Sequence, residues 1–148
     1  MISKILVATD DSKIAKKAIR YAMDLAGQLK VSITLLTVIN DTALITQSVP
    51  TELSHLQIMA PVEDYLRTAA EKYLERTETL CRKKRIKCAS VIRNGNPVDE
   101  IIKEAKKSKA DVIVIGSHGK GKLESAVLGS VTYGVIHKNT KYPVLVIR

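Results

Sequence analysis

The sequence predicts an α/β fold, an open parallel five-stranded sheet with helices on both faces. Two observations carry this. Five short runs of β-branched, apolar residues alternate with segments of helical period along 148 residues. The runs are apolar throughout rather than every second residue, as in strands buried on both faces. The order β-α-β-α-β-α-β-α-β then calls for right-handed crossovers in one sheet. No repeat or linker interrupts the chain, and its length suits a single domain over 1–148.

The elements follow in order. "KILVAT" (4–9) is the first strand. Behind it Ile14, Ala18, Tyr21, Ala22 and Leu25 recur at helical spacing, with Ser12 as N-cap and Gly27 near the end. "VSITLLTVI" (31–39) is the second strand, and residues 41–60, without clear period, read as a variable loop with room for a helical turn. A long amphipathic helix is expected over 61–85, with Pro61 in its first turn and Val62, Leu66, Ala69, Tyr73 and Leu80 facing inward. "CASVIR" (88–93) is the third strand. "NPVDEIIKEAKKSKA" (96–110) is a helix capped by Asn96 with Pro97 at its first position. "DVIVIG" (111–116) and "YPVLVIR" (142–148) are the last strands, and a helix from Ser130 to about Lys138 lies between them.

Composition narrows the classes. Hydrophobic residues are 45% and charged residues 26%, as in an ordinary globular chain. No apolar run approaches the roughly 18 residues that span a bilayer. The short apolar start reads as a strand rather than a signal peptide, so the cytoplasm is the expected location. Cys81 and Cys88 have no metal-ligand or redox spacing and read as buried, reduced thiols. The net charge of +9 admits nucleic acid, an acidic membrane or a small anion as partner. Its densest cluster, "RKKRIK" (82–87), sits where a helix dipole favours cations. With no Trp or Phe and five Tyr, stacking platforms for single-stranded nucleic acid are scarce, and charge alone does not make a nucleic-acid binder. Neither nucleic acid nor membrane is the expected partner.

In open parallel sheets ligands bind beyond the carboxyl ends of the strands, where strand order reverses. The richest of those ends is "GSHGKGKLESAVLGSVT" (116–132). Gly116-x4-Gly121-Lys122 begins like a Walker A loop, but Leu123 stands where a Mg²⁺-binding hydroxyl is needed. Gly119-x-Gly121 begins like a dinucleotide fingerprint, but Glu124 replaces its third glycine. The physical logic outlasts both failures. Gly129-Ser130 stands at a helix N-terminus, where backbone N–H groups and the helix dipole receive anions, and Lys120 and Lys122 add positive potential. A loop that needs glycines only for turns and close packing is the competing explanation.

Gly116-x2-Gly119-x9-Gly129-Ser130 is similar to the signature of the ATP-binding branch of the universal stress protein family. "KILVATDDS", "GNPVDEIIKEAKKSKADVIVIGSHG" and "YPVLVIR" resemble its first strand, its third helix with the fourth strand, and its last strand. The likeness spans the chain except about 41–60. It implies a Rossmann-like sheet ordered 3-2-1-4-5 and a homodimer. It also implies that Asp10 holds a ribose, that Ala8 and Thr9 line the pocket, and that the Val38 backbone meets adenine. Gly116, Gly119, Gly129, Ser130 and Val131 are implied to hold ribose and phosphates. ATP, with or without Mg²⁺, is the implied ligand. Asp11 departs from the family, many of whose members carry glycine there; a second negative charge either weakens phosphate binding or helps to hold a metal.

Other polar residues are weaker candidates. Asp10 serves either as a ligand or as a cap for the first helix. His118 lacks an acidic partner nearby in sequence and reads as an exposed loop histidine, while His55 and His137 show no role. Tyr133 and Tyr142 read as packing residues, and Ser117, Ser125 and Thr132 are weak phosphate candidates. The expected function is an ATP-binding stress-response or regulatory protein, a nucleotide-dependent switch or a module for an unknown regulatory partner. Two alternatives stay open: a slow ATPase or phosphotransferase, and a basic binder of nucleic acid or membrane surfaces. "YPVLVIR" is an apolar edge strand in a monomer, which pairing across a two-fold axis covers, so a homodimer through this strand is expected.

Overall fold

In a computed structural model, which describes residues 1–40, 55–120, 127–139 and 141–148 with the side chains of 55–60 aside, the apolar runs become strands of one sheet. These are β1 (Lys4–Ala8), β2 (Ser32–Ile39), β3 (Cys88–Asn94), β4 (Val112–Gly116) and β5 (Val144–Ile147). They are parallel and lie in the order β3-β2-β1-β4-β5. The direction of winding therefore reverses between β1 and β4. Helices α1 (Lys13–Leu29), α2 (His55–Lys83), α3 (Pro97–Ser108) and α4 (Ser130–Lys138) connect them.

The sheet is buried on both sides because each face has its own helix pair. Ile5, Val7, Ile33, Leu35 and Val114 pack against Ala18, Ala22 and Met23 of α1 and Leu74 and Cys81 of α2. Leu6, Leu36, Ile113 and Ile115 pack against Ile101 and Ala105 of α3 and Val135 of α4. Each fully buried Leu or Ile contributes roughly 1.5–3 kcal/mol relative to exposure. Adjacent β1 residues feed opposite cores, which is why these strands carry no polar alternation.

Local signals set the helix starts. Ser12 Oγ accepts from the Ala15 amide (3.1 Å) at α1, and Asn96 Oδ1 accepts from the Asp99 amide (3.2 Å) at α3, with Pro97 following. Lys30 and Lys109 end α1 and α3 in left-handed backbone, at φ 56° each. Gly27 lies near the end of α1, as expected, two residues before its last residue Leu29.

Several expectations need correction. The long helix begins by His55, so Pro61 stands inside it, where proline forgoes one helical hydrogen bond. Residues 55–60 are helix rather than loop, whereas 41–54 lie outside the described residues. The inner stripe of α2 runs through Leu74, Thr77 and Cys81, with Leu66 and Tyr73 half-buried. Val62, Ala69 and Leu80 face outward, as does Tyr21 on α1. Cys88 is half-buried rather than buried. Its sulfur lies 4.0 Å from the Ala89 carbonyl, and interaction between the two thiols holds Cys81 below and Cys88 above the ordinary thiol range.

Candidate functional site

A cavity of about 520 Å³ opens at the carboxyl ends of β1 and β4, where the winding reverses. That size suits a small ligand. Ala8, Thr9, Asp10, Val38, Gly116, Gly119, Gly129, Ser130 and Val131 all line it. These residues come from the ends of β1, β2 and β4, the segments after β1 and β4, and the start of α4, far apart in sequence.

The cavity has two chemical sides. Toward β2 and α3 it is walled by Leu36, Val38, Pro97 and Ile101, which suit a flat apolar ring. Toward β4 it is walled by glycine backbone and by Ser130, Val131 and Thr132, the first residues of α4. Amides in a helix's first turn have no acceptor inside the helix, and the dipole adds positive potential. This end can take an anion.

Internal hydrogen bonds hold the anion end in place. Thr132 Oγ1 donates to the Gly116 carbonyl (2.7 Å), tying α4 to the end of β4. The Ser117 amide donates to the Ile147 carbonyl (2.7 Å), and the Gly129 amide to the Ser117 carbonyl (2.7 Å). The Gly129 N–H is thus committed to the protein, which leaves Ser130 and its successors as the helix donors at the cavity. A Cβ at Gly129 would stand 2.9 Å from His118 Cα, so glycine here permits two stretches of backbone to touch.

Asp10 stands at the mouth. Its Oδ1 accepts from the Ser12 amide (3.0 Å) and its Oδ2 from the Lys120 amide (3.0 Å). Ser12, not Asp10, supplies the side-chain cap of α1. Ionised carboxylate oxygens have about four acceptor sites between them, so capacity remains for a ligand hydroxyl. Thr9 lines the cavity, but its hydroxyl is paired with the Tyr73 hydroxyl (2.8 Å), and its carbonyl accepts from Thr37 Oγ1 (3.0 Å). Burial above all raises the Tyr73 pKa. The Thr9 amide donates to the Leu36 carbonyl (2.9 Å), so Thr9 offers the cavity chiefly its methyl group.

Asp11 takes a left-handed backbone, φ 63°, the region glycine favours and aspartate tolerates better than most residues. Its carboxylate pairs with Lys16 (3.0 Å) and is absent from the cavity wall. A backbone requirement thus accounts for an aspartate at this position.

His118 and Lys120 line the cavity too; His118 Nδ1 lies 3.1 Å from Ser117 Oγ. Lys122, Leu123, Glu124 and Ser125 lie outside the described residues. Sequence reasoning missed Ala15, Leu36, Asn40, Pro97, Ile101 and Ile115. The apolar ones look like any core residue, and no local signal marks the half that faces a cavity.

A five-stranded open α/β domain with its cavity at the reversal of winding defines the class. The chain belongs to the universal stress protein family, whose model matches residues 1–148. Universal stress protein YxiE of Bacillus subtilis is 30% identical over 150 residues, all of both chains. Universal stress protein MJ0577 of Methanocaldococcus jannaschii is 31% identical over 156 residues, covering all of this chain and 96% of the relative. The solved structure of MJ0577 superposes with a TM-score of 0.84, covering 99% of this chain and 96% of that one. A universal stress protein from Archaeoglobus fulgidus, solved in complex with dAMP, shares the fold at 24% identity and a TM-score of 0.69 over the whole of both chains.

Proposed function

We propose that this chain binds an adenine nucleotide, ATP with or without Mg²⁺, and acts in the cytoplasm as a nucleotide-dependent stress-response switch or partner-binding module. The observation that carries the reading is the two-sided cavity, with an apolar wall from β2 and α3 facing the first turn of α4 across Asp10. Adenine fits the first, phosphate the second, and ribose the carboxylate between them. Complexes of structural relatives with dAMP and with cAMP support an adenylate as the ligand class. Asp10 would accept from a ribose hydroxyl, the Val38 backbone would meet the base, and Ser130 and Val131 would donate to phosphate. Gly116, Gly119 and Gly129 would keep the phosphate side open to close approach.

In this reading the site binds more than it catalyses. Among the described residues the hydrogen-bond partner of the His118 ring is the Ser117 hydroxyl rather than a carboxylate, which argues against an oriented base for a water molecule. Hydrolysis would be very slow, and turnover at about 1 s⁻¹ or faster, lost in His118→Ala, would make the protein an enzyme. A homodimer through β5 completes the proposal, with a regulatory protein as the reader of the loaded state. The direct test identifies small molecules released on denaturing freshly purified protein. An adenine nucleotide is expected; a chain that carries none and retains none after incubation with ATP would refute the reading.

A further inference from the structure

We propose that the end of the molecule opposite the cavity docks on an anionic lipid bilayer. The net charge of +9 does not by itself locate a partner, but its placement does. In a parallel sheet every helix runs back toward the strand starts, so the turns that lead into the strands gather at one end. Lys83, Arg85 and Lys87 lie in the turn before β3 or at its border, and Lys30 lies before β2. Lys107 and Lys109 lead into β4. All six are exposed. Backbone hydrogen bonds place these turns side by side: the Ser32 amide donates to Ser3, the Ile33 amide to Lys87 and the Asp111 amide to Lys4. Four neighbouring strand starts, from β3 to β4, span about 15 Å at the usual strand spacing.

Two acids at this end have partners within the protein, although Asp111 keeps its negative charge. Asp24 pairs with Lys84 (2.9 Å), and the Asp111 carboxylate accepts from the Ser3 and Lys4 amides (2.7 and 3.0 Å). Helix dipoles favour cations in a last turn. They do not account for Arg85 and Lys87, which lie beyond the end of α2. Nor do they account for backbone conformation. Among the described residues four non-glycines adopt left-handed φ, and three of them, Lys30, Arg85 and Lys109, are cations at this end. Glycine or asparagine fits such positions better, so charge is kept there at a conformational cost.

Aliphatic side chains stand among the cations and choose the partner. Ile2, Leu29 and Leu80 are 39%, 47% and 52% exposed, in the segment before β1 and in the last turns of α1 and α2. Cations draw a surface to anionic headgroups, and apolar side chains enter the headgroup–acyl boundary. Duplex phosphates have no use for exposed aliphatics. Single strands call for stacking rings, and the exposed tyrosines Tyr21, Tyr65 and Tyr133 lie outside these turns. No helix among the described residues is long and apolar enough to cross a membrane, so the contact is peripheral.

Co-sedimentation of the full chain with phosphatidylserine-rich vesicles, phosphatidylcholine vesicles and a random-sequence DNA duplex tests this. The parent should sediment with the anionic vesicles only, less at high salt. The combined variant Lys30→Asn, Arg85→Asn, Lys109→Asn suits the left-handed positions, so it stays folded, and should bind them at least about tenfold more weakly. Leu29→Ser, which changes no charge, should also weaken vesicle binding. Equal binding to both vesicle types, or none, overturns the proposal. So does an unaffected triple variant, or tighter binding to the duplex with no effect of Leu29→Ser.

Discussion

The carboxylate of Asp10 accepts the backbone amide of Lys120 across 110 positions of sequence, at 3.0 Å. This bond joins the end of β1 to the glycine stretch after β4 and sets the width of the mouth between them. A Cβ at Gly119 would stand 2.5 Å from the same Asp10 oxygen, so the carboxylate and the loop touch. Asp10→Ala removes both this acceptor and the proposed ribose contact. Since hydrogen bonds to charged groups contribute about 1.5–3 kcal/mol, adenosine and ATP should both bind roughly 10- to 100-fold more weakly. Calorimetric titration with the two ligands checks this, and equal loss for both places Asp10 at the ribose.

Gly129 and Ser130 separate packing from recognition. Gly129→Val drives a side chain into the His118 backbone, whose Cα is 2.9 Å from the new Cβ, and should cost about 1–3 kcal/mol of stability as overpacking does. Any loss of ATP binding in that variant is therefore ambiguous. Ser130→Ala touches no such contact. It should leave thermal stability and adenosine binding unchanged while weakening ATP by about 0.5–1.5 kcal/mol. If adenosine suffers equally, phosphate does not lie at α4.

Acid stability should depend on Asp111. The Ser3 amide first, then the Ser3 hydroxyl and the Lys4 amide, hold its carboxyl below the ordinary aspartate range. A lowered folded pKa supplies stability above the unfolded value of about 3.9, lost as pH falls through the folded one. Asp111→Asn should thus melt at lower temperature than the parent near neutral pH. The gap should narrow below about pH 4. Melting curves across that range decide it; a gap independent of pH would mean that the carboxylate's charge contributes nothing.

Much of this fold was legible because strands buried on both faces leave continuous apolar runs, and because Ser12, Asn96 and Pro97 mark helix starts by local chemistry. The start of α2 was not, since a proline is most readily placed in a first turn and Pro61 stands inside the helix. Its inner stripe also misled: Val62 and Leu80 are apolar yet exposed, while Thr77 is buried with its hydroxyl donated to the Tyr73 carbonyl. At the site, glycines and Asp10 announce themselves by residue type after strand ends. Leu36, Ile101 and Ile115 do not, because burial and cavity-lining ask for the same side chains.

The proposed dimer has a backbone signature. The Pro143 and Ile147 carbonyls accept from the Ile113 and Ser117 amides, so by alternation Val144 and Val146 turn their N–H and C=O groups away from β4. Val146→Pro removes an outward donor while sparing the β4 ladder, as edge prolines do. A lysine at Leu145 or Val146 is a poorer probe, since both side chains pack on core clusters. Light scattering should show a dimeric parent and a folded, monomeric Val146→Pro. A monomeric parent at high concentration, or a variant that still dimerises, would contradict β5 pairing.

The central claim is that the cavity between β1 and β4 receives an adenine nucleotide, and isothermal titration of nucleotide-free protein with ATP tests it most directly. Saturable binding at one site per chain is expected, weakened by Asp10→Ala and by Ser130→Ala, with adenosine sensitive to the first change only. Absence of saturable heat for ATP, AMP and adenosine alike, from protein shown to be folded by circular dichroism, would contradict it.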